Sequence, residues 1–181
     1  MEVEIRIKIL NIRKTQEKLK NIGAKFSKKI KVYDRYFGAV ELYKKIGYSF
    51  LVRIRESNND YFLAVKSAKK KIEGCWEEYE IKIKTPKIYL EMLKTMGFEN
   101  IIDIKKIREE YKLNNIKIMI DKFENYGNFL EIEVITEKPD KSILFNIFKK
   151  MGVKKENIIE KGYISLFLEQ ASSPFAKYIK H

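Results

Sequence analysis

The chain has 181 residues and a mass of 21.6 kDa; 45% of its residues are hydrophobic and 35% are charged. This composition fits one folded domain and excludes a mainly disordered chain. A single cysteine and a single histidine, His181, exclude an internal disulfide, cysteine-cluster and histidine zinc sites, and histidine-based catalytic triads. The net charge of +13 favours anionic partners, although a lysine- and isoleucine-rich thermophilic proteome would give the same balance.

The first half predicts four strands and one helix. Residues 2–9 alternate charged and aliphatic side chains, a period of two that indicates a strand. Residues 13–22 predict a helix that ends at Gly23. Three more strands are predicted at 31–37, 48–55 and 61–67, with a turn at 57–60 and a loop at 68–74.

The second half predicts four strands and three helices. A strand at 76–84 precedes a helix at 87–96, which begins after Pro86 and ends at Gly97. The remaining elements are strands at 101–112, 115–123 and 128–136, a helix at 140–151 opened by Pro139, and a helix at about 162–170.

An internal repeat relates the two halves. The segment EVEIRIK at 2–8 matches EYEIKIK at 78–84 in five of seven positions. We therefore expect two pseudo-symmetric halves, about 1–75 and 76–170, merged into one domain, with a tail at 171–181. The short connections between strands predict antiparallel pairing.

No apolar run approaches the roughly 18 residues of a membrane span, and charged alternation begins at once, so we expect a soluble, cytoplasmic protein without a signal peptide.

Charged pairs recur two residues apart on the predicted strands. Carboxylates come in pairs at 2 and 4, 78 and 80, and 131 and 133, and bases at 6 and 8, 53 and 55, and 106 and 108. If the sheet curls into a barrel, these faces converge on its interior. Clustered carboxylates repel unless they share a cation, and an all-oxygen site suits Mg²⁺ or Mn²⁺. The bases would then hold a polyanion such as a triphosphate, without the glycine loop of a P-loop protein.

Several motifs together resemble the CYTH superfamily, the triphosphate tunnel enzymes. EVEIRIK at 2–8 resembles the ExExK signature of that family, and YDRYF at 33–37 resembles its D-x-Y-F element. The segment 120–133, IDKFENYGNFLEIE, is similar to the family's D-x-F…E-x-E segment, and KGY at 161–163 to its terminal K-S-Y. The resemblance implies an α+β fold, with an eight-stranded antiparallel, closed or near-closed β-barrel and peripheral helices, in a single domain at 1–170.

The resemblance also implies roles for individual residues. It makes Glu2, Glu4 and Glu131 ligands of Mg²⁺ or Mn²⁺, with Glu133 supporting them. It makes the following residues phosphate or substrate contacts: Lys8, Arg53, Arg55, Lys66, Lys106, Arg108, Lys161 and Tyr36. Arg6, Lys66 and Asp121 become catalytic, Asp121 as an acid near the reacting hydroxyl or water, or as a further metal ligand.

Some assignments keep a structural alternative. Tyr36 and Tyr163 are also typical of packed core tyrosines, and Lys161 of a surface lysine. Glu78 and Glu80 repeat the N-terminal motif but could instead pair with the bases of the tunnel. Two positions depart from the family pattern: Arg6 stands where a lysine is usual, and Gly162 where a serine is usual.

Three functions remain open at the level of sequence. The resemblance favours a class IV adenylyl cyclase that converts ATP to cyclic AMP and pyrophosphate. A triphosphatase acting on thiamine triphosphate or tripolyphosphate needs nearly the same residues. A non-catalytic protein that binds polyphosphate or nucleic acid is the third, although paired carboxylates would repel a nucleic-acid backbone. The family resemblance also suggests a homodimer.

Overall fold

Eight antiparallel strands close into a barrel in the computed structural model, which describes residues 1–69, 72, 74–138 and 140–179. The order around the barrel is β1-β5-β4-β3-β2-β6-β7-β8. The strands are β1 Glu2–Ile9, β2 Lys25–Gly38, β3 Phe50–Ser57, β4 Asp60–Ser67, β5 Cys75–Ile83, β6 Glu99–Leu113, β7 Ile116–Phe123 and β8 Gly127–Ile135. The helices are α1 Ile12–Asn21, α2 Val40–Ile46, α3 Pro86–Thr95, α4 Ser142–Lys150 and α5 Tyr163–Gln170. The predicted α+β barrel is thereby confirmed.

Local signals explain most of these boundaries. The Asn11 side chain caps α1 by accepting from the amide of Lys14 at 2.9 Å, and Gly23 follows the helix with a φ of +85°. The turn between β3 and β4 places Asn58 and Asn59 at positive φ, which asparagine tolerates better than most residues.

Two elements differ from the prediction. Strand β2 begins at Lys25, six residues earlier than predicted, because it pairs with β6 along nearly its whole length. Its first five residues are exposed, only Phe26 among them is apolar, and they lack an apolar alternation. Helix α2 was not predicted; Ala39 at its N-cap gives no side-chain cap, so the sequence carries no start signal there.

The largest core cluster lies between the outside of the barrel and two helices. The apolar faces of β1, β7 and β8 pack there against Leu19 of α1 and against Leu144 and Phe148 of α4. This packing leaves the charged faces of the same strands directed inward, because successive strand residues point to opposite faces.

Helix α5 and the chain after it close one side of the barrel. Phe167 of α5 packs against Phe123 and Phe129, and its ring lies 3.9 Å from that of Tyr126. The tail continues this cluster through Ile179, which is almost completely buried. The tail is therefore packed as far as residue 179; Pro139 and residues 180–181, as well as 70, 71 and 73 of the predicted loop, lie outside the described residues.

The barrel closes through a short seam between β1 and β5. These strands pair only at Glu2 with Trp76 and Val3 with Cys75. Farther along β1, Arg6 exchanges backbone hydrogen bonds with Ile159 at 2.9 and 2.7 Å. Beyond the residues that pair with β5, the segment before α5 therefore lies beside β1. Within the described residues, none of the helices has the length and apolar character needed to cross a membrane.

Candidate active site in the barrel

A cavity of about 540 Å³ occupies the inside of the barrel. The strands β8, β1 and β5, which are neighbours in the barrel, supply its carboxylates, namely Glu2, Glu4, Glu77, Glu78, Glu80, Glu131 and Glu133. Bases line the cavity from β4, β3, β6 and β7, namely Lys66, Arg53, Arg55, Lys106, Arg108 and Lys117. The charged faces predicted from strand alternation therefore meet in one enclosed space.

Three carboxylates form a cluster on the acidic side. One carboxylate oxygen each from Glu2, Glu4 and Glu133 lies within 4.8 Å of the others. The strand register explains this, because Glu4 stands directly opposite Glu133 in the β1–β8 ladder and Glu2 follows on the same face. The indole of Trp76 donates to Glu4 at 2.9 Å and fixes one of its oxygens. A set of three oxygen donors fits a hard divalent cation such as Mg²⁺ or Mn²⁺.

The pKa values of this cluster diverge. Burial raises the pKa of Glu2 well above its usual value; Lys66 opposes the rise, while Glu4 and Glu133 add to it. Burial acts in the same direction on Glu4, but Arg6 and Lys66 outweigh it and lower its pKa to about 2. Neighbouring cations therefore favour the charged form of Glu4, whereas burial disfavours the charged form of Glu2.

Glu131 and Glu133 have positions different from those implied by the family resemblance. Glu133 belongs to the carboxylate cluster, and Lys117 donates to it at 3.0 Å. Glu131 instead accepts from Arg6 Nε at 2.9 Å and from Arg108 at 3.3 Å. Glu131 lines the cavity, and its role as a metal ligand stays a prediction, although Glu133 rather than Glu131 shares the cluster with Glu2 and Glu4.

The bases on β3 and β4 are held by cross-strand carboxylates. Arg53 donates to Glu78 at 2.7 Å and to Glu80 at 2.6 Å. Lys66 stands opposite Glu78 in the ladder and contacts it at 2.8 Å, and it contacts Glu2 at 2.7 Å. Glu78 and Glu80 therefore form ion pairs with the bases of the tunnel, which was the structural alternative for them.

Asp34 is a residue that the sequence reading did not assign to the site. It is buried and receives both Nε and Nη2 of Arg55, at 2.6 and 2.9 Å. Burial alone would raise the pKa of Asp34, but Arg55 and Arg53 lower it below its usual range. Its position in the YDRYF motif, on the same strand face as Tyr36, was the available signal.

Asp121 binds the two bases of β6. It accepts from Lys106 at 2.9 Å and from two nitrogens of Arg108 at 2.6 Å each. Burial would raise the pKa of Asp121, yet these two cations lower it to about 2. Burial and the neighbouring Arg108 lower the pKa of Lys106 to about 8, although Asp121 opposes this.

Arg6 and Asp121 lie behind the wall of the cavity. Both are completely buried and neither lines the open space. The Arg6 guanidinium contacts Glu4 and Glu131, donates to the carbonyl of Lys161, and lies 4.5 Å from the ring centre of Tyr163. In this geometry both residues position the neighbours that face the cavity, whereas the sequence reading placed them in contact with the reacting groups.

Lys8 and Lys161 are not brought to the cavity. Lys8 is exposed near the end of β1, and the Lys161 ammonium pairs with Glu169 at 2.8 Å outside the cavity. Tyr36 and Tyr163 do line the cavity while also belonging to the aromatic cluster. Trp76 and Lys117 line it as well and were missed, although Trp76 directly precedes the repeated acidic motif.

The CYTH domain model matches residues 1–163, which contain all eight strands of the barrel and the segment before α5. The chain belongs to the CYTH family. A Methanocaldococcus jannaschii protein named "Putative adenylate cyclase MJ0240" is 37% identical over 174 residues, which cover 92% of this chain and 98% of that protein.

Solved structures share the CYTH barrel. The PH1012 protein of Pyrococcus horikoshii has a TM-score of 0.80 and 31% identity, covering 92% of this chain and 99% of its own. A Hippeastrum protein, HpAC1, has a TM-score of 0.63 and 19% identity, covering 96% of this chain and 97% of its own. It shares the fold and is described as a "Putative adenylyl cyclase" that "reveals a dominant triphophatase activity".

Proposed function

We propose that this CYTH protein is an enzyme that binds a triphosphate together with a divalent cation inside its barrel and cleaves a phosphoanhydride bond. The observation that carries the proposal is the carboxylate cluster of Glu2, Glu4 and Glu133, which faces the same cavity as six bases that can hold phosphate oxygens. Arginine contacts phosphate oxygens in a fork and lysine as a point charge, so the two kinds of base together suit a polyphosphate.

The charge balance of the cavity supports a requirement for the cation. Among the described residues that line it, seven carboxylates stand against six cationic side chains. A triphosphate would add further negative charge to an enclosed space in which unpaired charge is costly. A cation held by the carboxylate cluster would offset that charge and act as a Lewis acid toward the phosphoryl oxygens.

The bases of the cavity are positioned to receive phosphate oxygens. Arg53, Arg55 and Lys66 already donate to carboxylate oxygens at 2.6–2.9 Å, and a phosphate oxygen can replace such an acceptor. Asp121, which lies behind the cavity wall, accepts hydrogen bonds from Lys106 and Arg108 and holds both beside the cavity. The chain thereby stabilises the charge that spreads over phosphoryl oxygens in the transition state.

ATP cyclisation is the reaction we propose. In it the ribose 3′-hydroxyl attacks the α-phosphorus, the bond to the bridging oxygen breaks, and pyrophosphate leaves. The 37% identity to the Methanocaldococcus jannaschii protein named "Putative adenylate cyclase MJ0240" supports this choice. Hydrolysis of thiamine triphosphate or tripolyphosphate is the alternative, and the description of the Hippeastrum protein, which has the same fold, as having a dominant triphosphatase activity supports it.

Product analysis separates the two reactions. The protein is incubated with ATP, thiamine triphosphate or tripolyphosphate and with Mg²⁺ or Mn²⁺, and nucleotides and phosphates are resolved. Cyclic AMP with pyrophosphate supports the cyclase, and orthophosphate without a cyclic product supports the triphosphatase. The absence of turnover of all three substrates, with either cation, would overturn the proposal.

A further inference from the structure

One edge of strand β5 has no neighbouring strand over most of its length. The opposite edge pairs with β4 from Glu77 to Ile83. On the β1 side, β5 pairs only through Cys75 and Trp76, and in the described part of the chain no strand pairs with that side of residues 78–83. An exposed strand edge is a template for pairing with another strand.

The outer face of the same segment is apolar and exposed. Tyr79 is 72% exposed and Ile81 is 57% exposed, although both lie directly beside apolar residues of β4. Helix α3, which follows β5 in the chain, adds an exposed apolar stripe at a spacing of four residues, namely Ile88, Met92 and Met96. Apolar side chains concentrated on two consecutive elements indicate an interaction surface.

We propose that a second copy of this chain covers this edge, with the two β5 strands pairing antiparallel about a two-fold axis at Ile81. Such an axis runs perpendicular to the shared sheet, so the outer faces of both strands lie on the same side of that sheet. Residues that stand opposite each other are therefore an even number apart in sequence. An axis at Ile81 places Glu80 opposite the partner's Lys82 and Tyr79 opposite the partner's Ile83. Opposite charges and apolar pairs facing each other stabilise a ladder.

The neighbouring register is disfavoured by charge. An axis at Glu80 would place Glu80 opposite the partner's Glu80, which are like charges at the shortest distance. The sequence of the edge, Tyr-Glu-Ile-Lys, is therefore complementary to itself only when the axis lies at Ile81. This self-complementarity argues for a second copy of this chain over an unrelated strand.

The pairing would connect the dimer to the cavity. Glu80 lines the cavity and accepts from Arg53 at 2.6 Å. Lys82 is exposed and bonded to Asp60 within its own chain at 2.7 Å. In the dimer the partner's Lys82 lies beside Glu80, so each copy adds a cation to the rim of the other copy's cavity.

Cysteine cross-linking tests the register directly. Opposed residues of an antiparallel pair have Cα atoms about 4.5–5.5 Å apart, which a disulfide can span. Under oxidised glutathione we expect Ile81→Cys to form a covalent dimer, while Glu80→Cys and the control Leu10→Cys, at a side chain 95% exposed near the end of β1, do not. The native Cys75 is buried. A covalent dimer of Glu80→Cys, or none of Ile81→Cys, would overturn this register.

Light scattering after size exclusion tests the dimer without oxidant. We expect the wild type to have the mass of two chains, Ile81→Lys to weaken association by about tenfold or more because like charges meet at the axis, and Leu10→Lys to remain dimeric. Glu80→Lys should weaken the dimer, and the double variant Glu80→Lys/Lys82→Glu should restore it. A monomeric wild type, or a dimer that Ile81→Lys leaves unchanged, would overturn the proposal.

Discussion

At the scale of single residues, the cavity is built from charges that hold one another in place. Arg55 pairs with Asp34 and Arg108 with Asp121, each pair joining directly adjacent strands. Arg53 of β3 reaches across β4 to Glu78 of β5. An isolated buried charge is costly, whereas a hydrogen-bonded pair is tolerated. The pairs therefore keep the bases charged and oriented before a substrate arrives.

The substitution Asp121→Asn tests this pairing through stability. It would leave Lys106 and Arg108 buried without their shared anion, and breaking a buried ion pair in this way typically costs about 3–5 kcal/mol of unfolding free energy. Chemical denaturation measures the change. The matched control is Asp60→Asn, which breaks an exposed pair with Lys82 and should cost about 1 kcal/mol or less. Equal losses in both variants would contradict the account.

Lys106 should give phosphate binding a pH dependence. Burial and Arg108 lower its pKa to about 8, so the free protein loses this charge as the pH rises through that value. A phosphate group favours the charged form, and affinity for tripolyphosphate should therefore be full below pH 7 and fall above pH 8.

Calorimetric titration from pH 6.5 to 9.5 measures this effect. Lys106→Arg, which keeps its charge throughout that range, should remove the part of the pH dependence that lies near 8. An unchanged pH profile in that variant would show that another group is responsible.

Strand alternation predicted that the charged faces of the strands turn toward the barrel interior, but not which residues on those faces reach the cavity. Glu2, Glu4 and Arg6 share one face of β1, and the period of two shows this directly. Whether a residue on that face reaches open space depends on α5 and its preceding segment, which cover Arg6 through Ile159 and the Lys161 carbonyl. These contacts are more than 150 residues apart in sequence, so no local pattern reveals them.

At the scale of elements, the seam between β1 and β5 is the shortest ladder of the barrel. Its backbone contact continues from Glu4, whose amide donates to the Gly74 carbonyl at 2.8 Å. Gly74 has a φ of +67°, and a Cβ there would lie 2.4 Å from the Glu4 carbonyl oxygen. Only glycine fits this position without moving the strand that carries the carboxylate cluster.

The substitution Gly74→Ala should therefore affect both stability and cation binding. We expect it to lower the unfolding free energy more than Gly23→Ala, which has a similar φ of +85° but no atom within 4 Å of the added Cβ. The control should lose only the conformational part, about 1–2 kcal/mol. Thermal denaturation and Mn²⁺ titration measure the two effects, and equal behaviour of the two variants would contradict the seam's role.

Elements with their own start signals were predictable, and elements held by tertiary pairing were not. Helix α3 begins at Pro86 as expected, because proline suits the first turn of a helix. The first residues of β2 are exposed and mostly polar, and we attribute their strand conformation to pairing with β6. Helix α2 has no side-chain N-cap, and its seven residues are too few to make a periodic pattern visible.

At the scale of the whole molecule, a net charge of +13 conceals a cavity in which carboxylates slightly outnumber bases. The bases that suggested a nucleic-acid surface in the sequence, including Arg53 and Arg108, are buried inside the barrel. Composition alone could not distinguish an inner from an outer basic face. The barrel topology does, and it gathers the carboxylates that we propose as a cation site.

The measurement that tests this account most directly is Mn²⁺ binding, followed by the loss of the free-ion signal in electron paramagnetic resonance. The account predicts that the wild type binds Mn²⁺ without any phosphate present. Glu133→Gln should weaken binding by at least about tenfold, since it removes one donor of the cluster. Glu110→Gln, whose carboxylate pairs with Lys28 away from the cavity, should bind as the wild type does. A wild type that binds no Mn²⁺, or a Glu133→Gln variant with unchanged affinity, would contradict the central claim that these carboxylates hold the cation.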